Sequence, residues 1–233
     1  MKNYEERLKN GETLTNRELS IYYNYKYKRE KVRYWGRGLP NNQGRIECDI
    51  SNFVMPDDDM VKTLIFDTLG LKKSGKDNDY KANKIQRWII DNIKYVSDQT
   101  QHNYIEHWQM VYETLHLMTG DCEDGAILMA SMMIASGIPR WRVRIAGGLV
   151  KTGNPTAPTG GHAWVTYLRE SDNTWIILDW CYYPDISSIH LKSTIKANKN
   201  YLKTWFSWND KFTWGSQSFN FDTIANVEKQ IKE

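Results

Sequence analysis

The sequence has few cysteines and no long hydrophobic run. Its three cysteines, Cys48, Cys122 and Cys181, are too few and odd in number for a disulfide framework, which indicates a reducing compartment. No segment approaches the ~18 consecutive apolar residues of a membrane-spanning helix, and the first residues lack the apolar centre of a signal peptide. We therefore expect a cytoplasmic or virion-associated protein with no membrane partner. The bias toward Asn, Lys and Tyr would suit a phage protein.

A strong excess of one charge sign is also missing. The 31 Lys and Arg residues nearly balance the 28 Asp and Glu residues, and the net charge of +3 does not indicate a nucleic-acid-binding protein. Residues 25–38 are the local exception, because basic side chains alternate there with Tyr and Trp. The basic aromatic segment, residues 16–38, is therefore either a solvated helix face or a docking site for a partner.

The length of 233 residues, 40% of them hydrophobic, suits one folded domain with an N-terminal extension. Thr15 and Glu18 match a capping box and predict a helix from Asn16 toward Tyr27. A second helix is predicted from Pro56 to about Gly70. The polar segment 72–78 is the best linker, so we predict a helical extension at residues 1–76 and a catalytic domain at residues 77–233.

Hydrophobic periodicity predicts helices followed by strands. Two amphipathic helices are indicated by the apolar positions Ile85, Ile89, Ile93 and Val96, and by Ile105, Trp108, Tyr112 and Leu115. Residues 122–136 are apolar on every side, which predicts a buried helix that ends at Gly137. Alternation predicts a half-exposed strand at 141–145, and further strands at 163–168 and 174–178. This order favours an α+β fold with an antiparallel sheet.

Three residues form a candidate nucleophilic site. Cys122 begins the buried helix, where unsatisfied N–H groups and the helix dipole favour a thiolate. His162 enters a predicted strand, and Asp179 ends the next one. A turn within residues 169–173 would place Asp179 directly opposite His162, as a base and its orienting carboxylate require. The segment at 151–161 leads into His162 without a regular pattern and is either a substrate lid or a hairpin connection with no role.

Four motifs follow one another along the chain: Trp-Gln at 108–109, Gly-Asp-Cys-Glu-Asp at 120–124, Gly-His-Ala-Trp-Val at 161–165 and Leu-Asp at 178–179. Over roughly residues 80–184 they resemble the transglutaminase-like superfamily, and within it most the bacterial transglutaminase-like cysteine proteinases. The resemblance implies a papain-like core in which a nucleophile helix packs on an antiparallel sheet. It implies Cys122 as nucleophile, His162 as general base and acid, and Asp179 as the orienting carboxylate.

The implied activity is thiol-dependent acyl transfer on a peptide or protein amide, by hydrolysis in the first place. The alternatives are transamidation, or a catalytically silent module that docks on a larger assembly such as a phage virion. The oxyanion would lie against the Cys122 backbone N–H and a side-chain donor, either Gln109 or Trp108. No cofactor is required by this chemistry. Asp121, Glu123 and Asp124 cap the helix or, by resemblance to adhesin-cleaving proteinases of this branch, Asp121 and Glu123 bind calcium.

Overall fold

The computed structural model describes residues 47–104, 106–195 and 197–215, the strand 33–35, and parts of the first 22 residues (4, 6–7, 10, 12–15, 17–18 and 21–22). Most of the basic aromatic segment lies outside these residues. The predicted capping box is confirmed at its described positions. The Thr15 backbone N–H donates to Glu18 Oε2 at 2.8 Å, and the Glu18 N–H donates to Thr15 Oγ1 at 3.2 Å.

Five α-helices lie wholly within the described residues: α1 Asp59–Thr63, α2 Asn78–Asn92, α3 Asp98–Gln101, α4 Val111–Leu117 and α5 Cys122–Ala135. Helix α1 starts where the Asp58 carboxylate accepts the N–H groups of Met60 and Val61, and it continues as a π-helical turn over Leu64–Thr68. Gly70, at a φ of +62°, ends this segment as predicted. Among the described residues, no helix combines the length and the hydropathy needed to cross a bilayer.

The strands form one five-stranded sheet and two short pairs. The main sheet has the order β7-β6-β5-β8-β9 and is antiparallel throughout; it contains β5 Val143–Asn154, β6 Ala157–Leu168, β7 Trp175–Leu178, β8 Tyr201–Trp208 and β9 Thr213–Gly215. Strands β1 Arg33–Trp35 and β2 Glu47–Asp49 pair antiparallel, whereas β3 Lys94–Tyr95 and β4 Thr119–Gly120 pair in parallel. The predicted α+β class with an antiparallel sheet is confirmed.

Helix α5 is the centre of the hydrophobic core. Almost every residue from Glu123 to Ala135 is buried, as expected for a helix that is apolar on every side. Side chains from α1, α2 and the sheet pack in the same core, among them Val61, Ile85 and Val165. Gly137 ends the helix region at a φ of +94°, where a Cβ would lie 2.6 Å from the Ser74 carbonyl oxygen. The division of the chain at residues 76 and 77 stays a prediction.

The predicted helix through Trp108 is wrong in its first half. Helix α4 begins only at Val111, and residues 106–110 are irregular. Two buried carboxylates accept backbone N–H groups of this segment: Asp98 Oδ2 accepts from His107 at 2.5 Å, and Asp124 Oδ1 accepts from Gln109 at 2.7 Å. Side-chain acceptors from distant positions therefore replace helical carbonyls here.

Two predictions on the sheet also need correction. Residues 151–161 form the hairpin alternative but are not irregular, because β5 and β6 continue through them and turn at 155–156. The strand at 141–145 begins at Val143 and is not half-exposed. The Arg144 guanidinium lies 5.0 Å from the Trp175 ring and 3.9 Å from the Trp214 ring, so aromatic faces cover a charge that the alternation assigned to solvent.

Candidate active site

Cys122 is the first residue of α5, and its sulfur faces a cavity at the helix N-terminus. The thiol lies 3.2 Å from Glu123 Oε2, and the Ala163 backbone N–H hydrogen-bonds to the sulfur. Burial raises the pKa of the Cys122 thiol well above its usual value, with repulsion from Asp121 adding to it. The helix N-terminus therefore does not by itself produce the thiolate that the sequence predicted, and a base is needed to remove the proton.

His162 and Asp179 meet inside the protein. His162 Nε2 lies 2.7 Å from Asp179 Oδ2, and both side chains are fully buried. The same oxygen accepts the Tyr201 hydroxyl at 2.6 Å, while Asp179 Oδ1 accepts the backbone N–H groups of Cys181 at 3.1 Å and Tyr182 at 3.3 Å. Burial alone would raise the pKa of Asp179, but the hydrogen bonds from His162 and Tyr201 outweigh it and lower that pKa.

The ionised state of Asp179 determines which nitrogen of the neutral His162 ring carries the proton. A carboxylate accepts hydrogen bonds and donates none, so the Nε2 of His162 carries the proton that points to Asp179. In the neutral imidazole, Nδ1 is then the nitrogen with a free lone pair. This tautomer suits a general base, because Nδ1 can accept a proton while the Nε2–H stays bonded to the Asp179 carboxylate.

The predicted register between the two strands is wrong by two residues. Val165 lies opposite Leu178, and continuing this pairing past the end of β7 would place Asp179 opposite Trp164 rather than His162. Because side chains alternate between the faces with a period of two, a shift of two keeps Asp179 and His162 on one face. They meet as diagonal neighbours, which is still within reach of a hydrogen bond.

Three residues that the sequence analysis missed hold the site together. Trp180 Nε1 donates to the Cys122 carbonyl oxygen at 3.0 Å, and Gln86 Nε2 on α2 donates to the Asp179 carbonyl oxygen at 2.7 Å. Gly125 makes room for the indole, since a Cβ there would lie 2.3 Å from the Trp180 ring. A glycine inside an otherwise apolar helix was the one local signal of this close approach.

A cavity of about 200 Å³ connects the candidate nucleophile and base. Both Cys122 and His162 line it, together with the glycines of β5 and β6 and several aromatic rings. The aromatic and acidic lining residues are Tyr95, Trp108, Trp205, Phe206, Trp208, Glu106, Asp121 and Glu123. An apolar cleft with a few convergent polar groups is the usual form of a substrate site.

The two predicted oxyanion donors lie in different places. Gln109 is buried away from the cavity lining, and its Nε2 donates to Asp124 Oδ2 at 2.9 Å and to the Thr119 carbonyl oxygen at 3.3 Å. Trp108 lines the cavity, and its Nε1 donates to Glu106 Oε1 at 2.7 Å. Of the two, only Trp108 is therefore next to the space where a substrate carbonyl would lie.

A cluster of carboxylates lies beside Cys122. The ligand oxygens of Asp98, Asp121 and Asp124 are within 4.8 Å of one another, and Asp121 also groups with Cys122 and Glu123. Burial, with repulsion from Asp121 as the second cause, raises the pKa of Asp98 to about 8. The side chains of Asp121 and Glu123 hydrogen-bond to each other, and one further buried oxygen of each, Asp121 Oδ1 and Glu123 Oε1, has no partner within the described part of the chain. These oxygens are the hard donors that calcium prefers, so the residues fit a divalent cation.

Sequence reasoning named Asp121 and Glu123 as calcium candidates but not Asp98 and Asp124. Asp124 already has partners, because its two oxygens accept N–H groups from Gln109 and Asp121. Its bond to the Asp121 N–H also caps helix α5, which matches the capping alternative. The other two cysteines pack against the core, as expected: Cys48 and Cys181 are both half-buried.

Comparison with known proteins identifies the family. Residues 68–180 match the family model of the transglutaminase-like superfamily. Legionella pneumophila LapG has a similar structure, with 19% sequence identity over 73% of this chain and 84% of that chain and a TM-score of 0.51. Calcium-bound LapG gives a TM-score of 0.50 at the same identity, over 73% of this chain and 87% of that chain. No curated protein sequence matches the chain. LapG shares the fold, and residues 68–180 belong to the transglutaminase-like superfamily.

Proposed function

We propose that this protein is a cysteine hydrolase that cleaves a peptide or protein amide. Cys122 is the nucleophile, His162 the general base and acid, and Asp179 the orienting carboxylate. The observation that carries the proposal is the His162–Asp179 hydrogen bond of 2.7 Å at a cavity that Cys122 also lines. Three parts of the chain that are distant in sequence thus supply a thiol, an imidazole and a carboxylate, which are the three groups that nucleophilic catalysis of this kind needs.

The reaction begins with transfer of the Cys122 thiol proton to His162 Nδ1, since burial opposes spontaneous ionisation of the thiol. The sulfur attacks the amide carbonyl carbon, and the Nδ1 proton then passes to the leaving amine as the C–N bond breaks. Water, deprotonated by Nδ1, attacks the resulting thioester. The C–S bond breaks, the acid leaves, and the sulfur recovers its proton from His162.

The tetrahedral oxyanion is placed against the Cys122 backbone N–H and the Trp108 indole N–H. Trp108 lines the cavity, whereas the Gln109 amide is engaged by Asp124. An oxyanion in this position would replace Glu106 Oε1 as the acceptor of the indole N–H. A preorganised donor of this kind stabilises the charge that develops during attack.

We further propose that Asp98, Asp121 and Asp124 hold calcium. The unpartnered Asp121 oxygen and the raised pKa of Asp98 indicate a site with too little positive charge. LapG is known in a calcium-bound and an EGTA-treated structure. A bound cation would supply positive charge next to Cys122 and leave the roles of His162 and Asp179 unchanged.

Alkylation by iodoacetamide at pH 7, resolved by residue with mass spectrometry, tests the catalytic pair without a known substrate. Cys122 is expected to react at least about ten times faster than Cys48, which serves as the internal reference away from His162. The His162→Ala variant should lose this difference, and the matched variant His190→Ala should keep it. Equal labelling of Cys122 in the wild type and in His162→Ala would overturn the proposal.

Hydrolysis and transamidation are separated by incubating casein with the protein in the presence of a fluorescent primary amine. Hydrolysis produces new peptide termini and little incorporated amine, since water resolves the thioester. Cys122→Ala should abolish both products. Predominant incorporation of the amine would replace hydrolysis by transamidation as the activity, and the absence of either product in the wild type would favour a silent docking module.

A further inference from the structure

Tyr201, at the start of β8, shares one oxygen of Asp179 with the candidate base. Its hydroxyl donates to Asp179 Oδ2 at 2.6 Å, and His162 Nε2 lies 2.7 Å from the same oxygen. The opposite oxygen, Oδ1, is occupied by two backbone N–H groups. Hydrogen bonds therefore fix both oxygens of the carboxylate. Of the two side-chain donors to Oδ2, Tyr201 is the one that a substitution can remove without changing the imidazole.

The phenol ring is held rigidly. Tyr201 is 8% exposed, and its ring packs edge-on against Trp164, with centroids 4.9 Å apart, and against Tyr183 at 5.9 Å. Trp164 in turn stacks near the His162 ring at 6.0 Å. Strand pairing of Tyr201 with Val150 fixes the backbone. The hydroxyl is thus positioned by packing before any substrate arrives.

The charge distribution keeps Tyr201 a donor. Burial raises the pKa of the Tyr201 hydroxyl far above its usual value, and the neighbouring Asp179 raises it further. The groups that face Asp179 from the surrounding elements are His162 on β6, Tyr201 on β8, and Cys181 and Tyr182 just after β7. None of these adds a second negative charge near neutral pH, so the carboxylate keeps both side-chain donors.

We propose that Tyr201 is a positioning residue for the candidate active site, acting through Asp179 on the orientation of His162. This inference rests on the roles proposed for Cys122, His162 and Asp179. Tyr201 is absent from the cavity lining and touches no reacting atom. Its hydroxyl occupies one lone pair of Oδ2 and leaves the other for the imidazole N–H. The direction of that N–H, and with it the direction of Nδ1 toward the thiol, follows from this arrangement.

The test compares Tyr201→Phe with Tyr183→Phe in the full-length protein. Both changes remove one hydroxyl and keep the ring, but the Tyr183 hydroxyl donates to the Lys151 carbonyl oxygen instead of a carboxylate. Tyr201→Phe should slow iodoacetamide labelling of Cys122 about tenfold and move the low-field imidazole N–H proton resonance of His162. Tyr183→Phe should leave both unchanged. Urea unfolding verifies that each variant is folded.

A wild-type measurement keeps the proposal testable even if Tyr201→Phe does not fold. Two donors on one oxygen bring the Tyr201 hydroxyl proton and the His162 Nε2 proton close together, so a nuclear Overhauser effect between them is expected. Its absence, or an unchanged N–H resonance in folded Tyr201→Phe, would overturn the role of Tyr201. A failure of the proposed function gives a different result: Cys122 is then labelled at the same rate in the wild type and in His162→Ala.

Discussion

The cavity lies between two groups of buried carboxylates with opposite properties. Asp179 accepts hydrogen bonds from His162, Tyr201 and two backbone N–H groups, and its pKa is lowered. On the other side, Asp98 and Asp121 lie close together, and the pKa of Asp98 is raised to about 8. Burial raises the pKa of carboxylates on both sides, so the difference comes from the hydrogen-bond donors around Asp179 and from the repulsion by Asp121 beside Asp98.

This difference separates a carboxylate that the protein satisfies by itself from a cluster that a cation would satisfy. Four hydrogen bonds compensate Asp179 for the water it loses, and the His162 imidazole is oriented without help from a substrate. The cluster of Asp98, Asp121 and Asp124 has fewer donors than oxygens, and like charges repel within it. A divalent cation would add positive charge to this cluster, whereas both oxygens of Asp179 already accept hydrogen bonds.

The largest expected effect comes from removing the charge of Asp179. In Asp179→Asn the side chain keeps its shape but offers an NH₂ group as well as an acceptor, so the Nε2–H tautomer of His162 is no longer enforced. Casein hydrolysis should fall about 1,000-fold or more. The control is Asp172→Asn, which breaks an ion pair with Arg169 just after the end of β6. Comparable activity of Asp179→Asn and the wild type would remove Asp179 from the mechanism.

The second largest effect is expected at the contact between Trp180 and helix α5, which connects the Asp179 side of the cavity to the Cys122 side. Trp180 follows Asp179 and bonds to the Cys122 carbonyl, and Gly125→Ala would put a Cβ 2.3 Å from its ring. Overpacking should lower the free energy of unfolding by about 1–3 kcal/mol, although alanine is the better helix former by about 1 kcal/mol. Urea denaturation measures the net effect.

Gly75→Ala is the matched control for this change. Nothing lies within 4 Å of a Cβ at Gly75, and its backbone is not left-handed. We expect its unfolding free energy to stay within about 0.5 kcal/mol of the wild type. If Gly125→Ala were equally neutral, Trp180 would not tie the nucleophile helix to the strand that carries Asp179.

Local patterns predicted the elements of the fold better than the contacts between them. The apolar residues of α5 and its terminal Gly137 predicted the bounds of the buried helix to within one residue, and the four motifs predicted the family. The segment at 106–110 was predicted as helix because Trp108 fits the apolar stripe. Asp98 and Asp124 decide its conformation from about ten residues away or more, and no local periodicity reports such acceptors.

The candidate site shows the same limit. Cys122, His162 and Asp179 could be named from their places at element ends, and the two-residue error in register did not separate them because it preserved the face. Tyr201 and Gln86 reach Asp179 from positions that are distant in sequence. Only the folded chain brings these donors together, so the satisfied state of Asp179 could not be predicted.

The smallest expected effect is the pH dependence of stability on the Asp98 side. The folded pKa of about 8 lies above the ~3.9 of an unfolded Asp. The folded state therefore binds more protons than the unfolded state between these values, and stability falls as pH rises through this window. The slope is at most about 1.4 kcal/mol per pH unit. Asp179, whose pKa is lowered, gives the opposite dependence and destabilises the fold only under acidic conditions.

Urea unfolding between pH 6 and 8 in EDTA measures this slope, and Asp98→Asn should flatten it, with exposed Asp91→Asn as the control. Adding calcium should reverse the trend, because the cation binds the deprotonated carboxylates and stabilises the fold in proportion to its affinity. If neither Asp98→Asn nor calcium changes the slope, protons shared between the carboxyl groups of the cluster already neutralise it. The two groups of carboxylates would then differ only in how their burial is compensated: hydrogen-bond donors compensate Asp179, and protonation compensates Asp98 and its neighbours.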